Sequence, residues 1–153
     1  MKSLALAVAA VLVGFLTSAA ASDGSVARVK TVQGPASIIR GQSVVPAVSN
    51  EKLFQGDTLR TGADASLGVV FKDDTILSLG PNSELVVDVF LYAPAEGKLS
   101  IVTRMLRGTA AYVSGIIAKL SPQSARFETP VANIGIRGTK FAVSVEGSDE
   151  ASH

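Results

Sequence analysis

Residues 67–79 read Leu67-Gly68-Val69-Val70-Phe71-Lys72-Asp73-Asp74-Thr75-Ile76-Leu77-Ser78-Leu79, and this stretch decides the fold class. Leu67, Val69 and Phe71 fall on one side of an extended chain, with Gly68, Val70 and Lys72 on the other. A strand turns successive side chains to opposite faces, so a period of two marks a strand with one buried face. Asp73-Asp74 interrupts the pattern where a hairpin turn belongs, and the run 76–79 resumes it.

The same period recurs outward from this hairpin. Leu85, Val87, Val89 and Leu91 alternate with Glu84, Val86, Asp88 and Phe90. Phe141, Val143 and Val145 alternate with Lys140, Ala142, Ser144 and Glu146. Shorter strands are expected over 26–32, 36–40, 58–61, 99–106, 109–114 and 124–129. Turn residues separate them at Gly34-Pro35, Gly56-Asp57, Gly80-Pro81-Asn82, 94–97, Gly108, Ser121-Pro122 and Thr129-Pro130. The stretch 113–120 has Ile116, Ile117 and Leu120 at helical spacing, but Gly115 and Pro122 leave it so few residues that a strand is favoured. The expectation is one all-β domain of short antiparallel strands, packed as a sandwich or jelly roll. A short β-solenoid is the alternative, although the sequence shows no strict repeat.

The first residues read as an address. Lys2 supplies a positive start, and residues 4–16 form an uninterrupted run of 13 apolar residues and glycine. That run suits the h-region of a signal peptide and falls short of the ~20 residues a membrane span needs. Ala19 and Ala21 match the small-residue cleavage pattern, so a cut after Ala21 is expected. The domain then occupies 22–146 and a polar, acidic tail 147–153. The most apolar later stretch, 85–91, is short and broken by Asp88, so no further span is expected. Export to the periplasm or beyond follows.

Composition removes most chemistry. The 153 residues include no cysteine, which excludes disulfides, thiolate metal sites, a cysteine nucleophile and a lipoprotein anchor. The one histidine is His153, the last residue, where nothing orients its ring for a catalytic triad or a metal. With 14 Lys+Arg against 13 Asp+Glu and no tryptophan, the chain lacks the footprint of a nucleic-acid binder. Basic residues such as Arg28, Lys30, Arg40, Lys52, Arg60, Arg104, Arg107 and Lys119 look scattered, the pattern of a solvated surface. Asp73-Asp74 reads as a solvated turn rather than an acid/base pair or calcium loop. No cofactor and no catalytic residue is expected.

The most distinctive run is Gly135-Ile136-Arg137-Gly138-Thr139-Lys140. It fails as a phosphate loop, because the spacing before Gly-Lys is too short and a strand follows where a helix is required. Glycines on both sides of Arg137 let the backbone turn sharply while the guanidinium makes a fixed set of hydrogen bonds. Either a structural or a partner-facing arginine satisfies that reading.

Several of these motifs together resemble the FecR-domain family, named after the periplasmic domain of bacterial anti-sigma regulators. The matching runs are Val32-Gln33-Gly34-Pro35-Ala36-Ser37 and Gly56-Asp57-Thr58-Leu59-Arg60-Thr61-Gly62. The hairpin 69–79, the turn Gly80-Pro81-Asn82-Ser83, and the segment 129–139 ending Ile134-Gly135-Ile136-Arg137-Gly138-Thr139 complete the set. The resemblance implies an all-β, exported, non-enzymatic module that binds a protein of the cell envelope, with a place in signalling. The family's hairpin turn often reads Asp-Gly, and Asp73-Asp74 stands there in this chain. The family's regulators carry a transmembrane helix before this domain; the signal-like segment in its place makes a stand-alone module the expectation. Gly56, Asp57, Gly135, Arg137, Gly138 and Thr139 are the positions expected to matter, Arg137 as loop anchor and Asp57 as a local cap or ion-pair partner. The alternative is a β-sandwich that binds envelope carbohydrate or another small ligand, against which stands the supply of only two tyrosines, Tyr92 and Tyr112, as platforms.

Overall fold

A computed structural model describes residues 23–136 and 140–146 of the chain. The leader, the tail and residues Arg137, Gly138 and Thr139 lie outside the described residues. The first strands are β1 (Ala27–Gln33), β2 (Ala36–Arg40), β3 (Ser43–Pro46), β4 (Lys52–Leu53), β5 (Thr58–Thr61) and β6 (Ser66–Phe71). Next come β7 (Ile76–Leu79), β8 (Glu84–Ala93), β9 (Lys98–Val113) and a short helix α1 (Ile116–Leu120). Then follow β10 (Ala125–Glu128), β11 (Asn133–Gly135) and β12 (Lys140–Val145). The chain is a single all-β domain of mostly antiparallel strands, as its periodicity predicts, in one sheet curled into a half-barrel. Neighbours run β3-β2-β5-β8-β9-β7-β6-β1-β4, with β10 and β12 attached to β9 and β11 to β10. Where two stacked sheets were expected, one continuous sheet supplies both walls.

Strand β9 makes that possible. The turn signal at Gly108 predicts two strands, 99–106 and 109–114, but a single 16-residue strand runs through it. Residues 98–107 pair with β8, and residues 110–113 pair with β7. Gly108 lies between them at φ +95° and lets the strand bend from one wall into the other without breaking. Strands β7 and β8 follow one another along β9, since Leu79 faces Ala110 and Glu84 faces Arg107.

The inward residues of the hairpin are buried as the alternation predicts: Leu67, Val69, Phe71, Leu77 and Leu79. Phe71 stacks on Phe90 of β8 at 5.5 Å, so the two walls meet through aromatic rings. At the far side Tyr112 stacks on Phe141 at 4.9 Å, and Phe127 meets both rings edge-on. That trio ties β9, β10 and β12 into one core; burial pushes the Tyr112 phenol above its ordinary range, and it stays neutral.

Two expected features change in phase or type. A bulge between Val87 and Val89 shifts the register of β8, so Phe90 turns inward and Leu91 outward, the reverse of the sequence pattern. The favoured strand over 113–120 is instead helix α1. The β6–β7 turn supplies what so short a helix lacks, because Asp73 accepts the Ile116 N–H with its carbonyl (2.7 Å) and the Ile117 N–H with Oδ2 (3.2 Å). Asp73 is therefore buried rather than solvated. It also accepts Thr75 N–H (3.1 Å) and Thr75 Oγ1 (2.9 Å).

Candidate functional site

The Gly56-Asp57 motif forms a tight turn between β4 and β5. Gly56 adopts φ +92° and donates its N–H to Val87 O at 2.7 Å. Asp57 is 1% exposed and accepts a forked pair from Arg40, Nε at 3.0 Å and Nη2 at 2.8 Å. Oδ2 also accepts the Phe54 N–H at 2.8 Å. Arg40 donates further to Lys52 O at 3.1 Å and lies over the Phe54 ring at 4.6 Å. Arg40, expected on a solvated surface, is thus the clamp that fastens β2 to this turn; the Asp57 carboxylate holds its already high pKa higher still. With those donors gathered on it, Asp57 serves the fold rather than a ligand. Asp57→Asn keeps the shape and loses the charge, and is expected to cost about 2 kcal/mol in urea unfolding.

Gly135 ends β11, and β8, β9 and β10 separate it from β5, so the two motifs do not form one site. A side chain at Gly135 would meet no atom within 4 Å, so packing among the described residues does not require glycine there. With Arg126, Pro122 and Ile136 it borders an open depression of about 650 Å³.

The feature that sequence reasoning missed lies where the half-barrel stops. Among the described residues β11 pairs only with β10, and β12 only with β9, so each presents an open edge. Strand β10 attaches to β9 at residues 101–104 and β12 at residues 108–113, leaving Leu106 between them. An apolar crevice of about 370 Å³ opens there, lined by Leu106, Pro130, Val131, Ile134, Val143 and Val145 among others. Val131 stands at its lip, 92% exposed. Its sequence signal is Pro130-Val131, an apolar pair in a turn where polar residues are the rule.

Among the described residues no three His, Cys, Asp or Glu side chains come together as a metal site would need. Tyr112 is buried in the aromatic core, which removes one of the two rings available as a sugar platform.

The family model described as FecR protein matches residues 57–153. The chain belongs to the FecR family. No curated protein and no solved structure matches it significantly. FecR proteins are associated with envelope signal transduction, as a regulatory family and not an enzymatic one. The match opens on Asp57, so the Arg40 that clamps it, and all of β1 to β4, precede the matched residues while sharing their sheet.

Proposed function

We propose that this FecR-family chain is an exported, non-enzymatic signalling module that works by holding a protein partner of the cell envelope. Residues 1–21 act as a signal peptide cleaved after Ala21, and the domain operates in the periplasm or outside the cell. The observation that carries the reading is the apolar crevice between the open edges of β11 and β12. Unpaired strand edges accept an added strand, and a crevice beside one receives its alternate side chains. An extended segment of the partner pairs with β12 and sets apolar side chains against Leu106, Ile134 and Val143. Arg137, Gly138 and Thr139 directly precede β12 in the sequence.

The test is cross-linking and capture from intact cells with the chain tagged after His153. Val131→Asp puts a charge on the crevice lip without touching the core, so melting stays unchanged while capture of the partner falls at least about tenfold. Equal capture by Val131→Asp and wild type would overturn the assignment of this crevice. Arg137→Ala is the companion: lost capture with unchanged melting makes it a contact, and collapse makes it structural.

A further inference from the structure

A second surface emerges from strand register. On the outer face of the wall β4-β1-β6-β7-β9-β12, Lys52, Arg28, Val70, Ile76, Val113 and Lys140 form one cross-strand row. Lys30, in the bulge of β1, and Lys72, just past β6, stand beside it and are exposed. No outward-facing strand residue of this wall is acidic among the described residues. On the opposite wall Arg60 and Arg107 both reach Glu84, at 3.2 Å and 3.5 Å, and Arg104 lies in register with Glu128, while Arg126 has no ion pair among the described residues. Arg28, Lys30 and Lys140 thus share one face without an ion pair among the described residues.

That arrangement opposes stability. Arg28 and Lys52 face each other directly across β1 and β4, and like charges so placed repel. Among the described residues Asp23, just before β1, pairs with two of these lysines, 2.5 Å from Lys52 Nζ and 3.8 Å from Lys72 Nζ. Hydrogen bonds from Lys52 and Ser25 hold its carboxyl well below the usual range. A like-charge pair kept on an exposed face, and only partly offset, points to a surface kept for binding. The charges spread across six strands, about 24 Å at the usual inter-strand spacing, instead of converging on one hollow. Ile76, 38% exposed, and half-buried Val70 and Val113 occupy the middle of the row.

We infer that this face docks on an anionic phospholipid surface, its cations among headgroup phosphates and Ile76 toward the interface. An extended, deformable sheet of phosphates fits a spread row of long basic side chains around an apolar centre, whereas a single small anion would want them gathered. Asp23 is a tethered competitor for the same lysines. The row meets the proposed partner edge only at Lys140 of β12, so Arg28→Gln with Lys30→Gln tests this face apart from the β11–β12 crevice.

The experiment is co-sedimentation of the domain, residues 22–153, with phosphatidylcholine vesicles, with or without phosphatidylglycerol. Binding is expected only to the anionic vesicles, with loss at high salt. Each neutralised cation weakens it roughly fivefold, so Arg28→Gln, Lys30→Gln and Lys140→Gln together reduce it on the order of a hundredfold, with unchanged melting. Asp23→Asn strengthens it. Absence of binding, equal binding to neutral vesicles, or indifference to the triple variant would overturn the inference. So would displacement by millimolar inorganic phosphate at constant ionic strength, which would mark a single-phosphate site. Capture by immobilised polyglutamate without vesicle binding would replace the membrane with an acidic protein.

Discussion

Gly108→Ala unfolds the protein at a markedly lower denaturant concentration, with a stability loss of about 3 kcal/mol or more. Two effects act together. The residue holds φ +95°, where a side chain costs about 1–2 kcal/mol. An added Cβ would also collide with Ser83 Oγ and Cα and sit 2.6 Å from Ser83 Cβ. Ser83 has nowhere to go: its N–H donates to Thr61 Oγ1 at 2.9 Å, and its Oγ accepts the Thr109 N–H at 3.0 Å. Overpacking against a fixed neighbour adds about 1–3 kcal/mol. Gly135→Ala is the control, because its Cβ would meet open space. If both variants unfold with the wild type in urea, β9 does not pass through Gly108 as a continuous strand.

Asp73→Ala costs about 3 kcal/mol and loosens α1 first. Its carboxylate, fully buried, accepts Thr75 N–H, Thr75 Oγ1 and Ile117 N–H, and each donor left unpaired costs about 1–3 kcal/mol before relaxation. Asp73→Asn keeps one acceptor oxygen and is expected to lose less. Hydrogen exchange at Ile116 and Ile117 reads the local effect, since their amide protons rest on Asp73. Exchange there at the wild-type rate would show that α1 stands without its cap. Gly115, the residue before α1, packs against the same turn so closely that a Cβ would overlap Asp73 O and Thr75 N.

The long alternating runs were legible because burial of one face imposes a period of two on the residues themselves. Strands β6, β7 and β12 fall where that period puts them. What escaped depends on partners distant in sequence. The β8 bulge reverses the sense of Phe90 and Leu91 without leaving a local mark, and Gly108 looks like a turn until both neighbours of β9 are known. Strands β4 and β11 have two and three residues, too few to show a period, and Ser43-Val44-Val45-Pro46 of β3 does not alternate. Helix α1 exists through a carboxylate more than 40 residues earlier in the chain. The site divides in the same way. Gly56-Asp57 announces a turn, but nothing near it announces Arg40, and the basic residues at 28, 30, 52, 72 and 140 look scattered until register lines them up.

Because β9 is the middle strand of both walls, neither wall is complete until it has been made. Its partners come from 76–93 before it and 125–145 after it; β8 joins it as a hairpin, whereas the β7 and β12 pairings link residues well separated in the sequence. Before residue 98, β1 can pair with β6, and β2 and β8 with β5, but the strand path from one wall to the other runs through β9 and waits for it.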